Sequence, residues 1–382
     1  MNSTSVISIK NESLRTNVKF IQSLIGEQTI LSAVVKGNAY GHGVSVVVPA
    51  LESLGVNHFS VYSSFEAKNV LKVKRKNSTV MIMGFIYKED FDWIIENTIE
   101  FFVSDISTLN HAVETAKSLH KKAIIHIDVE TGMNRTGLNL KQLKKAIDIL
   151  NKNTKYLTIQ GVTSHFAGAE SIANYTRVKK QFSVFKKRIK LLNENGIYPK
   201  IRHIASSAAT ITYPETRLDL VRVGILVYGY WPSKETFIYY INRKKDKTDP
   251  LKRAIRWCSE VASVKDVNIG EFIGYGLSYQ AQQKTKIMIV PVGYCNGFSR
   301  SLSNTGRVIV NGQISPVIGS VNMNMTICDI THIPDVKCGD RVILIGNQGE
   351  QEISFASFAE MNQSLNYEIL ARLPLNIERK LV

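Results

Sequence analysis

The chain has 382 residues, an apolar fraction of 44% and a formal net charge of +16. That length suits one large barrel-type domain plus a smaller one. No apolar run reaches the length of a membrane span, and the opening MNSTSVISIK lacks the basic segment and apolar stretch of a signal peptide. The positive charge is mostly lysine on helical faces such as Lys68 to Lys76 and Lys179 to Lys190, densest from Arg243 to Lys247. These runs lack regularly interleaved aromatics and match no nucleic-acid-binding motif, so a solvated surface is the expectation.

From about residue 10 to about residue 230, short β-rich runs alternate with helical ones. The spacing predicts strands over Ile30–Val35, His58–Tyr62, Thr79–Met83, Glu100–Val103, Ala123–Val129, Leu157–Thr163, Ile201–Ala205 and Asp219–Val223. Helical periodicity lies between them, at Glu12–Ile25, Phe65–Val73, Asp105–Leu119, Leu140–Leu150 and Arg177–Asn195. Eight strands with intervening helices predict an α/β fold, a (β/α)8 TIM-type barrel over residues 10–240. A doubly wound open sheet is the alternative, but no G-x-G-x-x-G follows the first strand.

Beyond Trp231 the pattern changes. Pro232 to Pro250 is polar and basic, with little periodicity outside Phe237–Ile241, and reads as a linker or inserted excursion. Then come strand-like segments Cys258–Val264, Thr285–Val292, Arg307–Val310, Ile314–Ile318, Met325–Ile330 and Arg341–Ile345, separated by Gly, Asn, Pro and Asp. They predict a mainly-β domain over 250–382, to which residues 1–9 can add a strand. One helix is expected over Ser354–Ser364. The four cysteines (Cys258, Cys295, Cys328, Cys338) form no C-x-x-C pair and show no zinc spacing, so no metal is expected. Together these features suggest a cytoplasmic enzyme with reduced thiols.

Chemistry in a barrel sits at the carboxyl ends of its strands. The run ILSAVVKGNAYGHG ends a β-branched strand in Lys36 and continues into a glycine-punctuated turn with Tyr40 and His42. A lysine there loses hydration, which favours the neutral amine able to form a Schiff base. It could equally cap the strand and reach solvent. Arg135 lies in TGMNRTG, His165 in SHFAGAE, Ser206 and Ser207 follow Ile201–Ala205, and Arg222 and Gly224 end LDLVRVGI. Alone, His165 could be a core histidine and the serines mere helix caps. A serine, a free backbone N–H and Gly224 together could also cradle a phosphate.

VVKGNAYGHG resembles the pyridoxal-phosphate lysine motif of bacterial alanine racemases. The resemblance continues in order through TGMNRTG, SHFAGAE, HIASSAA, LVRVGILVYG, IGYGLSY, VPVGYCNGFSR, GSVNMNM and NYEILARLP, and covers nearly the whole chain. It implies that Lys36 holds pyridoxal 5'-phosphate and serves as one racemising base. Tyr275 then resembles the opposite base, supplied by the second subunit of a head-to-tail homodimer. Tyr40, Ser207, Gly224, Ile225 and Tyr367 resemble the phosphate-binding set, and His165 and Arg222 the pair beside the pyridine ring. Arg135 resembles the arginine near the phenolic oxygen and the substrate carboxylate. Tyr294 and the Met323 backbone resemble second-subunit contacts at the substrate entrance.

These implied roles are chemically coherent. Two bases on opposite faces move the Cα proton without turning the substrate over. Lysine and tyrosine, with ordinary pKa values of about 10.4 and about 10, both need environments that permit proton exchange near neutrality. An always-protonated arginine against the pyridine nitrogen keeps that nitrogen unprotonated and weakens the ring as an electron sink. A carboxylate there would instead favour decarboxylase or transaminase chemistry.

The chain departs from the family pattern in several places. Asp128 stands seven residues before Arg135, where many members carry a lysine that is carbamylated and orients the arginine. Its carboxylate could replace the carbamate, directly or through water, or it could simply end a strand. Gly37, Ser206, Asn322 and Asn324 stand where alanine, asparagine, cysteine and aspartate are usual, which leaves serine or a broader set of amino acids open as substrates.

Overall fold

The computed structural model describes residues 4–354 and 366–382; the helix expected over 354–364 lies outside the described residues apart from Ser354. The chain divides into two compact units. One comprises residues 12–37 and 48–253, the other the N-terminal eleven residues, 38–47 and 254–382.

The first unit is a barrel. Its strands are β2 (Ile30–Val34), β3 (His58–Val61), β4 (Thr79–Ile82), β5 (Glu100–Val103), β6 (Ala123–Asp128), β7 (Leu157–Thr163), β8 (Ile201–His203) and β9 (Leu220–Val223), following β1 (Ser5–Ile9) of the other unit. They form one eight-stranded parallel sheet in the order β8-β7-β6-β5-β4-β3-β2-β9. The remaining seam between β8 and β9 is closed by backbone bonds, Asp219 N–H to Arg202 O at 3.1 Å and Arg222 N–H to Ala205 O at 3.0 Å. The fold is therefore the α/β barrel that the alternating sequence pattern predicts.

The helices follow from capping and amphipathic spacing. Ser63 caps α4 (Ser64–Val73), Asp105 caps α6 (Ile106–Ser118), and Asn139 with Gln142 forms a capping box on α7 (Leu140–Lys152). Each buries an apolar stripe, in α7 Leu143, Ala146, Ile147 and Leu150. The strand interiors are less ordinary. Ser32, His58, Ser60, Glu100, His126, Asp128, His203 and Arg222 are all buried. They alternate with apolar residues such as Phe59, Ile125 and Ile127, as period-2 geometry requires.

The segment after Trp231 is more structured than a linker. α10 (Lys234–Asn242) is capped by Ser233, which accepts from Thr236 N–H. Lys247 Nζ donates to the carbonyls of Ile241 and Asn242 at the helix end, and Arg243 stacks 3.5 Å from the Tyr239 ring centroid. Part of the basic run is thus spent on helix termination, which composition alone did not reveal.

The second unit is mainly β. A larger sheet runs β14 (Gln313–Pro316), β13 (Arg307–Val310), β16 (Arg341–Gln348), β10 (Ile255–Glu260), β1, β18 (Glu378–Leu381), with β17 (Gln351–Ile353) on β16. A smaller sheet runs β11 (Ser263–Val267), β12 (Thr285–Val290), β15 (Thr326–Asp329), around Ile273, Ala281, Ile287, Ile318 and Ile327. The single strand expected over Cys258–Val264 is two. At Val261 the backbone bonds to Asp340, and at Ala262 to Ile289, so the chain changes sheets within an unbroken run of strand-type residues.

Candidate active site

Lys36 sits two residues beyond β2, at the carboxyl end of the barrel strands. Its approach is fixed by three bonds. Val35 N–H donates to Ser60 O at 2.9 Å, the Tyr228 hydroxyl to Val34 O at 2.9 Å, and Gly37 N–H to Glu66 Oε1 at 2.7 Å. The other Glu66 oxygen accepts from Tyr62 N–H at 2.7 Å. The amine's pKa is lowered, first by desolvation and then by the Arg135 and Arg222 charges, against an opposing pull from Glu66.

The next four residues turn the wrong way for L-amino acids. Gly37, Asn38, Ala39 and Tyr40 have φ of 61°, 52°, 56° and 51°, one left-handed helical turn. For the three non-glycine residues this costs about 1–2 kcal/mol each. Side-chain bonds hold it: Asn38 Oδ1 accepts from Val44 N–H at 2.9 Å, and buried His42 Nδ1 lies 2.8 Å from Tyr40 O. With carbonyls facing Nδ1, that nitrogen carries the proton, and burial lowers the His42 pKa to about 4. Arg379 donates to Gly41 O, and a Cβ on Gly41 would lie 1.9 Å from Leu370 O. Strain of this kind, held by its surroundings, marks functional segments.

Arg222 is the most tightly held residue of the barrel rim. Its Nη1 donates to Thr163 Oγ1 at 2.9 Å and His203 Nδ1 at 2.6 Å; its Nη2 donates to Ser164 O at 2.7 Å and faces His165 Nδ1 at 3.4 Å. Burial lowers its pKa to about 10, opposed by Asp128 and assisted by Arg135, so the guanidinium is charged at neutral pH. His165 is driven down to about 3 by burial, then by Arg222, Arg135 and Lys36. Two neutral imidazoles therefore accept from one guanidinium.

Arg135 belongs to an exposed loop shaped by Glu130, whose carboxylate accepts from the backbone N–H groups of Gly132, Met133 and Asn134. Gln181 ties the loop to its neighbour, donating to Thr131 Oγ1 at 3.3 Å and His165 O at 3.0 Å. Asp128 is buried, and burial raises its pKa to about 6 against a hydrogen bond from Thr136 and the charges of Arg222 and Arg135. The hydrogen bond comes from the residue beside Arg135; Arg135 itself acts on Asp128 through its charge.

The other expected residues fall into groups. Gly224 N–H donates to Ser207 Oγ at 3.0 Å, with Ile225 next in the chain, so these three come together at the barrel rim. In the β unit, the Tyr40 and Tyr367 rings lie 6.0 Å apart. Tyr294 N–H donates to Asn322 O at 3.0 Å and Cys295 N–H to Met323 O at 2.9 Å, which sets Tyr294 beside Met323. Tyr275 is 76% exposed in this chain, on a loop that Ser320 Oγ joins at Tyr275 O, 3.4 Å. Glu66, Glu130 and Gln181 escaped the sequence reading. A carboxylate two residues before the glycine of a loop is the signal that could have found Glu130; Glu66 meets its glycine from 29 residues away and carries no such local mark.

A desolvated lysine with two arginines at the strand ends of a barrel, followed by a mainly-β unit, marks a barrel enzyme with a reactive amine at its rim. Residues 9–232 match the family described as alanine racemase, N-terminal domain, and residues 254–381 match the alanine racemase C-terminal domain. The chain is 36% identical over 368 residues to the alanine racemase of Clostridium perfringens strain SM101, spanning 96% of this chain and 92% of that protein. The structure of alanine racemase from Clostridium difficile 630 superposes with a TM-score of 0.91 at 31% identity, covering 100% of this chain and 96% of that one. That of alanine racemase from Bartonella henselae with covalently bound pyridoxal phosphate does so at 0.84 and 25%, covering 100% of each chain. The chain belongs to the alanine racemase family, a family of isomerases.

Proposed function

We propose that this chain is a pyridoxal-phosphate-dependent racemase interconverting L-alanine and D-alanine by two bases, Lys36 and Tyr275. The donor set fits that cofactor. An amine with a lowered pKa suits a Schiff base, the Ser207–Gly224–Ile225 group suits a phosphate, and a charged arginine suits the ring nitrogen. By resemblance, Tyr40 and Tyr367 also belong to the phosphate-binding residues, and His165 would support the ring beside Arg222. When bound, the ring withdraws electron density from the substrate Cα.

The carrying observation is Arg222. It is donor-only, charged and held by Thr163, His203 and Ser164. It therefore gives a hydrogen bond to the ring nitrogen without giving up its proton, which keeps the electron sink weak and favours return of a proton to Cα. Lys36 takes or returns that proton on one face, Tyr275 of the partner subunit on the other. Arg135 binds the substrate carboxylate, oriented by Asp128. Tyr294 and Met323 of the partner shape the entrance.

The exposed positions of Tyr275, Tyr294 and Met323 in one chain support a head-to-tail homodimer in which they are used across the interface. No described helix is long and apolar enough to cross a membrane. A cytoplasmic enzyme supplying D-alanine for peptidoglycan precursors fits this reading.

The test is incubation with L-alanine, L-serine and other L-amino acids in deuterated water, following Cα exchange and chirality. Exchange with racemisation, fastest for alanine, is expected. Carbon dioxide release would indicate a decarboxylase. Lys36→Ala abolishes both exchange and the cofactor's Schiff-base absorbance. Tyr275→Phe keeps the absorbance and loses racemisation.

A further inference from the structure

Beneath Arg222, the barrel interior holds a continuous chain of hydrogen bonds. Arg222 Nη1 lies 2.6 Å from His203 Nδ1, His203 Nε2 lies 2.9 Å from His126 Nδ1, and His126 Nε2 lies 2.8 Å from Glu100 Oε2. A second arm reaches the same oxygen. Ser60 Oγ is 2.5 Å from Ser32 Oγ, Ser32 Oγ is 2.8 Å from His58 Nδ1, and His58 Nε2 is 3.4 Å from Glu100 Oε2. All seven residues are buried.

The ends of this chain determine every proton along it. Arginine only donates, so His203 Nδ1 must be bare and its Nε2 protonated. His203 then donates to His126, whose Nδ1 must be bare and whose Nε2 carries the hydrogen given to Glu100. An ionised carboxylate only accepts, so the direction is consistent from both ends. The same rule makes His58 donate from Nε2, Ser32 donate to His58, and Ser60 donate to Ser32. Two arms thus run toward one carboxylate.

We propose that Glu100 is a positioning residue: by accepting from both arms it fixes the tautomers of His126 and His203, so that His203 presents a lone pair which aims Arg222. This rests on the reading that Arg222 meets the cofactor ring. Hydrogen bonding from His126 and His58 overcomes the effect of burial and holds the Glu100 pKa down to about 2, so the acceptor stays ionised. Burial lowers the pKa of both His126 and His203, so both stay neutral. Reversing the chain would set a His203 N–H against an Arg222 N–H.

The surrounding sequence keeps room for the chain. The β6–β7 register shifts between Ile125 and His126, bringing His126 opposite Gly161. A Cβ on Gly161 would lie 2.2 Å from His126 Nδ1, the atom that faces His203 Nε2. Phe102 covers the other side, its ring centroid 5.8 Å from His203 and 6.1 Å from His126.

The test uses the full chain labelled with nitrogen-15 histidine, with and without pyridoxal phosphate. Long-range proton–nitrogen spectra should place the hydrogen on Nε2 of His126 and of His203. Glu100→Gln is nearly isosteric but can donate as well as accept, so mixed tautomers at both histidines are expected. With alanine as substrate, kcat should fall about tenfold while KM changes less than twofold. Phe102→Leu perturbs the same packing without touching a hydrogen bond and should leave the tautomers intact. A protonated His203 Nδ1 in the unmodified protein overturns the proposal. So does a Glu100→Gln variant whose tautomers are unchanged, or whose kcat fails to follow them. The spectra need no turnover, so failure of the racemase reading would be seen separately.

Discussion

Glu100 and Asp128 are both 6% exposed and both belong to the barrel strands, β5 and β6, yet the protein displaces them in opposite directions. Glu100 falls to about 2 and Asp128 rises to about 6. Burial pushes both upward; the difference is in the donors. Glu100 accepts from two imidazoles, whereas Asp128 has one threonine and two cations that act through their charge alone. Burial does not decide whether a carboxylate is ionised; the hydrogen bonds aimed at it do. The lower carboxylate is built to stay charged far into acid, whereas the rim carboxylate, raised to about 6, still ionises but does so close to neutral pH.

The largest effect should come from destroying the better-satisfied site. Glu100→Leu leaves two imidazole N–H groups unpartnered in the core and should cost about 3–5 kcal/mol, measured by denaturant unfolding. The isosteric Glu100→Gln should lose less. If Glu100→Leu is neutral, the contrast between the two sites fails.

The pH dependence should separate the two carboxylates next. For Glu100 the folded pKa lies below its ordinary 4.5, so its stabilisation is present above about pH 4.5 and is lost as pH falls toward 2. For Asp128 the folded value lies above its ordinary 3.8. Its favourable contribution is complete below about pH 4 and is lost as pH rises through 6. The displacement from 3.8 to about 6, at about 1.4 kcal/mol per pH unit, corresponds to about 3 kcal/mol. Asp128→Asn in the cofactor-free protein should therefore be the more stable protein at pH 8 by up to about 3 kcal/mol, with little difference at pH 4. Its kcat/KM for alanine should fall about tenfold, about 1.4 kcal/mol, because Arg135 loses its anionic partner. A variant both less stable and fully active would mean that Asp128 only ends a strand.

Most strands were legible because they are apolar runs closed by turn residues, and the rim residues because Lys36, His165 and Arg222 stand at or just beyond the ends of such runs and Arg135 in the glycine-bearing loop that follows one. Asp128 stood out only against a family pattern. Glu100 was invisible, since a glutamate opening the run EFFV reads as a strand boundary. His126 and Asp128 do alternate with Ile125 and Ile127, the period-2 mark of one face, but nothing local says that this face looks into a barrel. The relay joins β2, β3, β5, β6, β8 and β9, and such contacts exist only once the sheet has closed. Likewise α10 was hidden by charge, because Lys247 in the basic run beyond it serves the helix terminus rather than one face.

The smallest effect tests the single donor that distinguishes Asp128 from a wholly unsatisfied carboxylate. The Thr136 hydroxyl favours the ionised form, so Thr136→Val should raise the Asp128 pKa further. At pH 4, where the acid is neutral in either protein, the two should unfold at nearly the same temperature. At pH 8 the variant should be less stable by about 1 kcal/mol, the ordinary value of one hydrogen bond. The decline in stability with pH should also finish at a higher pH. Combined with Asp128→Asn, the same change should have little effect, because an amide has no charge for the hydroxyl to stabilise. If Thr136→Val costs as much in that background as in the unmodified protein, the threonine supports the loop rather than the carboxylate, and only charge tempers the burial of Asp128.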